Sequence, residues 1–77
     1  MFNREKRKLK KRIEHYKTEI ELIEKRRSRS QSALVEAILS NKVPNDEDVD
    51  YFNTYTSQIN SLRELIHQLQ DELKSLE

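Results

Sequence analysis

An all-α fold, an antiparallel helical hairpin packed like a coiled coil, follows from three features of this 77-residue chain. Glycine is absent, apolar residues recur in alternating steps of three and four, and the only proline, Pro44, separates two such series. Tight β-hairpin turns rely on glycine or asparagine at positive φ, so a glycine-free chain is a poor candidate for a sheet protein. Charged residues make up 38% of the chain and hydrophobic residues 34%. That balance also fits a disordered chain, but disorder gives no reason for strict periodicity.

The first helix is expected from about residue 3 to about residue 40. Leu9, Ile13, Tyr16, Ile20 and Ile23 alternate as the two seam positions of a heptad, with Phe2 seven residues before Leu9. The residues between them are mostly charged. Glu21 stands four before Lys25, an arrangement that supports a helix by a few tenths of a kcal/mol. The seam then turns polar at Arg27 and Ser30 and resumes in phase at Leu34 and Ala37, with Val35, Ile38 and Leu39 widening the apolar face. Preserved phase favours one continuous helix. A break within Ser28–Ser32 is the competing reading, because serine caps helices better than it fills them.

A loop of about residues 41–45 follows. Pro44 disfavours helix at Val43 and lacks a backbone donor. Asn45 is a strong N-cap, and Asp46, Glu47 and Asp48 put negative charge on the positive end of the next helix dipole. Asp48, three after Asn45, gives a loose capping box. The second helix is expected over about 46–76, with the seam Phe52, Tyr55, Ile59, Leu62, Ile66, Leu69, Leu73, Leu76.

So short a loop lets the helices fold back on each other. The expected register sets Leu73 by Ile13, Ile66 by Ile20, Leu62 by Ile23, Ile59 by Arg27 and Tyr55 by Ser30, with Met1–Lys8 projecting past the second helix. Charge fits this topology. Residues 1–29 hold twelve Lys/Arg against five Glu, and residues 30–77 hold three against nine Asp/Glu. The second basic group, Lys25, Arg26, Arg27 and Arg29, is expected to pair with the acidic half. The whole chain is read as a single domain, marginal in size, and the flanking Leu22, Val35, Leu39, Tyr51 and Leu65 widen the stripe beyond one seam. Two hairpins related by a twofold axis, a four-helix bundle, are the economical way to cover it.

The chain is not read as an enzyme. It has no cysteine, and serine-elbow, phosphate-loop and dinucleotide motifs all need glycine. His15 and His67 fall on outer faces, so a metal site is not expected, and Glu64 with His67 is a single off-seam copy of a di-iron motif that needs more than one. No cofactor or small-molecule substrate is expected. No apolar run reaches the roughly 20 residues of a membrane span, and the basic start lacks the apolar core of a signal peptide; a cytoplasmic protein is expected.

What remains is binding. The leading expectation is a protein-interaction module, an adaptor, assembly factor or regulator that forms homo-oligomers and presents a rigid helical surface. Its partner-binding residues are expected to be Val35, Leu39, Tyr51 and Tyr55, near the loop. The second reading is a nucleic-acid-binding hairpin dimer using Arg4, Lys6, Arg7, Lys8, Lys10, Lys11 and Arg12. Against it stand a pI near 8.0 and the lack of a stacking array of aromatics. Arg27 and Ser30 are read as a register device, with Tyr55 and Gln58 as the expected hydrogen-bond partners.

Overall fold

The computed structural model describes residues 2–77. It consists of α1 (Phe2–Leu39, 38 residues) and α2 (Asp46–Ser75, 30 residues), packed as a hairpin into a rod of 60 × 16 × 15 Å. At 1.5 Å per residue the helices are roughly 57 and 45 Å long. The start of α1 therefore overhangs the end of α2 by roughly 12 Å. Met1 and the side chain of Phe2 lie outside the described residues.

α1 runs unbroken through the serine-rich stretch. Ser32 Oγ donates to the Ser28 carbonyl at 3.0 Å, and Thr18 Oγ1 donates to the Glu14 carbonyl at 3.0 Å. These side chains bond back to their own helix one turn earlier, which satisfies the hydroxyls without interrupting the ladder.

The turn is built without glycine. α1 stops at Leu39, and Asn41 takes φ of 58°, the left-handed region. The Lys42 N–H then donates to the Ala37 carbonyl at 2.8 Å and the Asn41 N–H to the Ile38 carbonyl at 3.1 Å. This pair is the Schellman closure, which satisfies carbonyls left open at the helix end. Asparagine tolerates left-handed backbone best among residues with a side chain, so Asn41 takes the glycine's place. The connection is residues 40–45, one longer than expected from Pro44 alone.

Asn45 caps α2 as expected. Its φ and ψ are −65° and 133°, and its Oδ1 accepts from the Glu47 N–H at 3.0 Å. The bond goes to the second residue of the helix, so the cap works without Asp48 as a reciprocal partner.

The core is a single file of seam residues. Leu9, Ile13, Ile20, Ile59, Ile66 and Leu69 are buried, with Tyr16, Ile23, Leu62, Leu65, Leu73 and Leu76 half-buried against them. Ile59, at 0% exposure, is fully enclosed. Ile23 and Leu62 line one groove between the helices, and Ile20 and Ile66 line another, in keeping with the expected register.

Packing is uneven along the rod. All six buried core residues lie outside the segment from residue 21 to residue 58. Near the loop the seam carries Ala33, Leu34 and Ala37 opposite Phe52 and Tyr55, none of them fully buried. Small residues on α1 leave aromatic residues on α2 without enough apolar surface to bury against, so this end contributes little hydrophobic stabilisation.

Candidate interaction surfaces

Arg27 interrupts the seam beside Ile59. Its Nη1 donates to Thr56 Oγ1 at 3.4 Å, and its guanidinium lies 5.9 Å from the centroid of the Phe52 ring. These partners replace the expected Tyr55 and Gln58. The geometry is a long, weak hydrogen bond from the charged guanidinium to a neutral hydroxyl plus a cation–π contact at the outer limit of range. Ser30, one turn on, is buried at the same polar level.

Arg27 has no carboxylate partner for a reason visible along α2. Residues 51–63, which run alongside the middle of α1, contain no acid. The expected pairing of Lys25, Arg26, Arg27 and Arg29 with the acidic half therefore does not form. Among the described residues the two close basic–acidic side-chain contacts both lie within α1: His15 Nε2 to Glu19 Oε1 at 3.1 Å, an ion pair only when the imidazole is protonated, and Lys17 Nζ to Glu14 Oε1 at 3.7 Å. Both are exposed and contribute at most a few tenths of a kcal/mol. Glu21 and Lys25 are not paired.

Charge is instead segregated along the rod. The open end, residues 1–12 with 70–77, holds eight Lys/Arg against four Asp/Glu. The closed end, residues 30–55, holds one Lys against five Asp/Glu. The hairpin topology turns an imbalance between sequence halves into a basic end and an acidic end.

The closed end is also where apolar residues meet solvent. Among the described residues seven large hydrophobic residues are exposed, and Val35, Ile38, Leu39, Val43, Val49 and Tyr51 all lie there; Leu22 is the exception. Leu39 is 79% exposed. The four residues expected to bind a partner fall into two pairs. Val35 and Leu39 line a shallow groove on α1 with Ser28, Gln31, Ser32, Glu36 and Ser40, to which α2 contributes nothing. Tyr51 and Tyr55 stack on α2, ring centroids 6.0 Å apart at 14°. Glu47, one turn before Tyr51, raises the Tyr51 pKa above 10, chiefly through its negative charge and secondarily by accepting a hydrogen bond from the neutral phenol.

At the open end Arg4, Arg7, Lys8, Lys10, Lys11 and Arg12 are exposed, while Lys6 is half-buried on the seam line. Among the described residues none of the seven is in an ion pair. Lys8 and Arg12 share a groove with Leu9, Leu76, Glu5 and Glu72, so part of this surface faces acids.

A further groove, which the periodicity alone did not single out, runs between the helices at mid-length. Glu19, Leu22, Ile23 and Arg26 of α1 and Ser57, Gln58, Ser61 and Leu62 of α2 line it. Leu22 could be identified in the sequence as a flanking apolar residue. Its groove could not, because the groove depends on the short polar Ser57 and Ser61 lying opposite. Among the described residues no cluster of three or more His, Cys, Asp or Glu could hold a metal ion, and no helix is long and apolar enough to cross a membrane. No family model matches the chain, nor does any curated protein or solved structure.

Proposed function

We propose that this hairpin is a small non-enzymatic protein-interaction module, acting in the cytoplasm as an adaptor, assembly factor or regulator of a larger protein. The observation that carries the reading is the closed end, where six exposed large hydrophobic residues coincide with five acids and no buried core. Scattered apolar residues on a surface are ordinary, but their concentration on one third of a thin rod is the usual mark of a docking surface. Val35 and Leu39 would enter an apolar pocket or helix face of the partner, and the stacked pair Tyr51 and Tyr55 would offer large rigid contact area at low entropy cost. The acids select a basic partner and repel acidic ones. Pairing of two hairpins into a four-helix bundle belongs to the same reading.

Photo-crosslinking tests it. Benzoylphenylalanine is placed at Leu39, and separately at Arg7, in cells expressing the chain. The reading expects discrete protein adducts from position 39 that disappear with Val35→Asp. Adducts to nucleic acid from position 7, with none to protein from position 39, would replace it by the second reading.

That second reading, nucleic-acid binding by Arg4, Lys6, Arg7, Lys8, Lys10, Lys11 and Arg12, is supported by their lack of ion pairs and by the overhang of α1. It requires an affinity that falls steeply with salt, as phosphate contacts release counterions.

A further inference from the structure

We infer that a second copy of the chain packs antiparallel on the mid-length groove, with a twofold axis passing between Leu22 and Ile23. The inference rests on the reading of the chain as an interaction module that pairs with itself, and it adds the face, the direction and the register. Five observations carry it.

Among the described residues Leu22 is the one exposed large hydrophobic residue away from the closed end, at 52%, and it sits in a groove floored by Ile23 and Leu62. This position lies within two residues of the midpoint of α1 (Phe2–Leu39), so a twofold axis there overlays two rods along their full length. A face of 60 by 16 Å covers on the order of 900 Å² per copy, against about 800 Å² per partner in a standard specific interface.

Charge fixes the direction. Parallel rods would set basic end on basic end and acidic on acidic. Antiparallel rods set Arg4–Arg12 of each copy along the acidic closed end of the other.

Charge also fixes the register. Glu19 and Arg26 line the same groove and stand three and a half residues either side of the axis. Twofold symmetry therefore brings Glu19 of one copy against Arg26 of the other, twice. The same operation sets Lys8 opposite Ala37, next to Glu36, and Arg12 opposite Ala33. An isologous contact of this kind closes at two copies and leaves no unsatisfied face to propagate. Val35 and Leu39 lie 100–140° round α1 from Leu22, at 100° per residue, and stay uncovered for another partner.

The test is a charge swap read by light scattering, with helicity by circular dichroism as a folding control. Glu19→Arg and Arg26→Glu are exposed or half-exposed changes within a helix and are expected to keep its helical content. Each variant alone brings like charges together twice, so its dimer dissociation constant should rise at least tenfold over wild type. An equimolar mixture of the two restores the opposite-charge contacts and should recover dimers. If the mixture stays as dissociated as the separate variants while all remain helical, the register is wrong. A spin label on Val43→Cys, in a chain with no other cysteine, then reads direction: about 60 Å between labels supports antiparallel rods, and less than about 30 Å overturns them. A wild type that is monomeric overturns the inference outright, while protein adducts at position 39 would still uphold the module.

Discussion

Replacing Ile59 by alanine offers a quantitative probe of the packing. Ile59 has no exposed surface, and it sits where the apolar file meets the Arg27 level, so neighbours on that side are polar and cannot slide in to fill a void. Isoleucine-to-alanine changes at buried sites cost about 2–5 kcal/mol. Alanine's better helix propensity returns a few tenths of that. A net loss of about 3 kcal/mol is large for a 77-residue domain, whose whole stability is about 4–12 kcal/mol. With an unfolding entropy of about 2.1 cal/mol/K per residue, it lowers Tm by roughly 20 °C. Ile38→Ala is the matched control: the same atoms are removed from a helix, but Ile38 is 63% exposed, and its expected change is within about 0.5 kcal/mol. Thermal melts followed by circular dichroism at one fixed protein concentration compare the two. If Ile59→Ala melts within about 5 °C of Ile38→Ala, the core is not where the structure puts it.

Other changes have defined outcomes. Asn41→Ala should cost about 1 kcal/mol, because alanine resists left-handed backbone, whereas Asn41→Gly should be no worse than wild type in denaturant titration. Asn45→Ala removes the cap on the Glu47 N–H and should likewise cost about 1 kcal/mol by the same titration. Arg27→Leu replaces a polar seam residue by an apolar one; it should raise Tm and broaden the distribution of oligomer masses, and unchanged values of both would remove the register role. The Tyr51 phenol should titrate above its ordinary pKa of 10, and Glu47→Gln should bring it down in ultraviolet difference spectra. Because the folded pKa is raised, the small stabilisation it provides is present below pH 10 and is lost as pH rises through the folded value.

Much of the hairpin was legible because both periods are local. The α2 seam from Phe52 to Leu76 repeats without a miss, and Pro44 with Asn45 marks the start of the second helix by chemistry specific to that position. Asn41 was harder to see. A left-handed residue with a side chain is chosen by the geometry of the helix end, and Asn41 stands among other polar residues that would serve as loop. The charge pattern misled where halves were summed. An excess of acids in residues 30–77 does not place an acid beside Arg27, since residues 51–63 of α2 have none. The partner residues were separated for a similar reason. Val35, Leu39, Tyr51 and Tyr55 are all near the loop in sequence, yet 100° of rotation per residue sends the first two onto a groove made by α1 alone.

The reading of the chain as a self-pairing interaction module is tested most directly by its mass in solution, measured by light scattering at low and high salt on protein checked for nucleic acid by its absorbance ratio. The account predicts twice 9.3 kDa at low salt, free of nucleic acid, with the dimer weakening as salt screens its ends. A 9.3 kDa monomer that carries nucleic acid through purification and releases it in salt would contradict the account and leave the basic end of α1 as the functional surface.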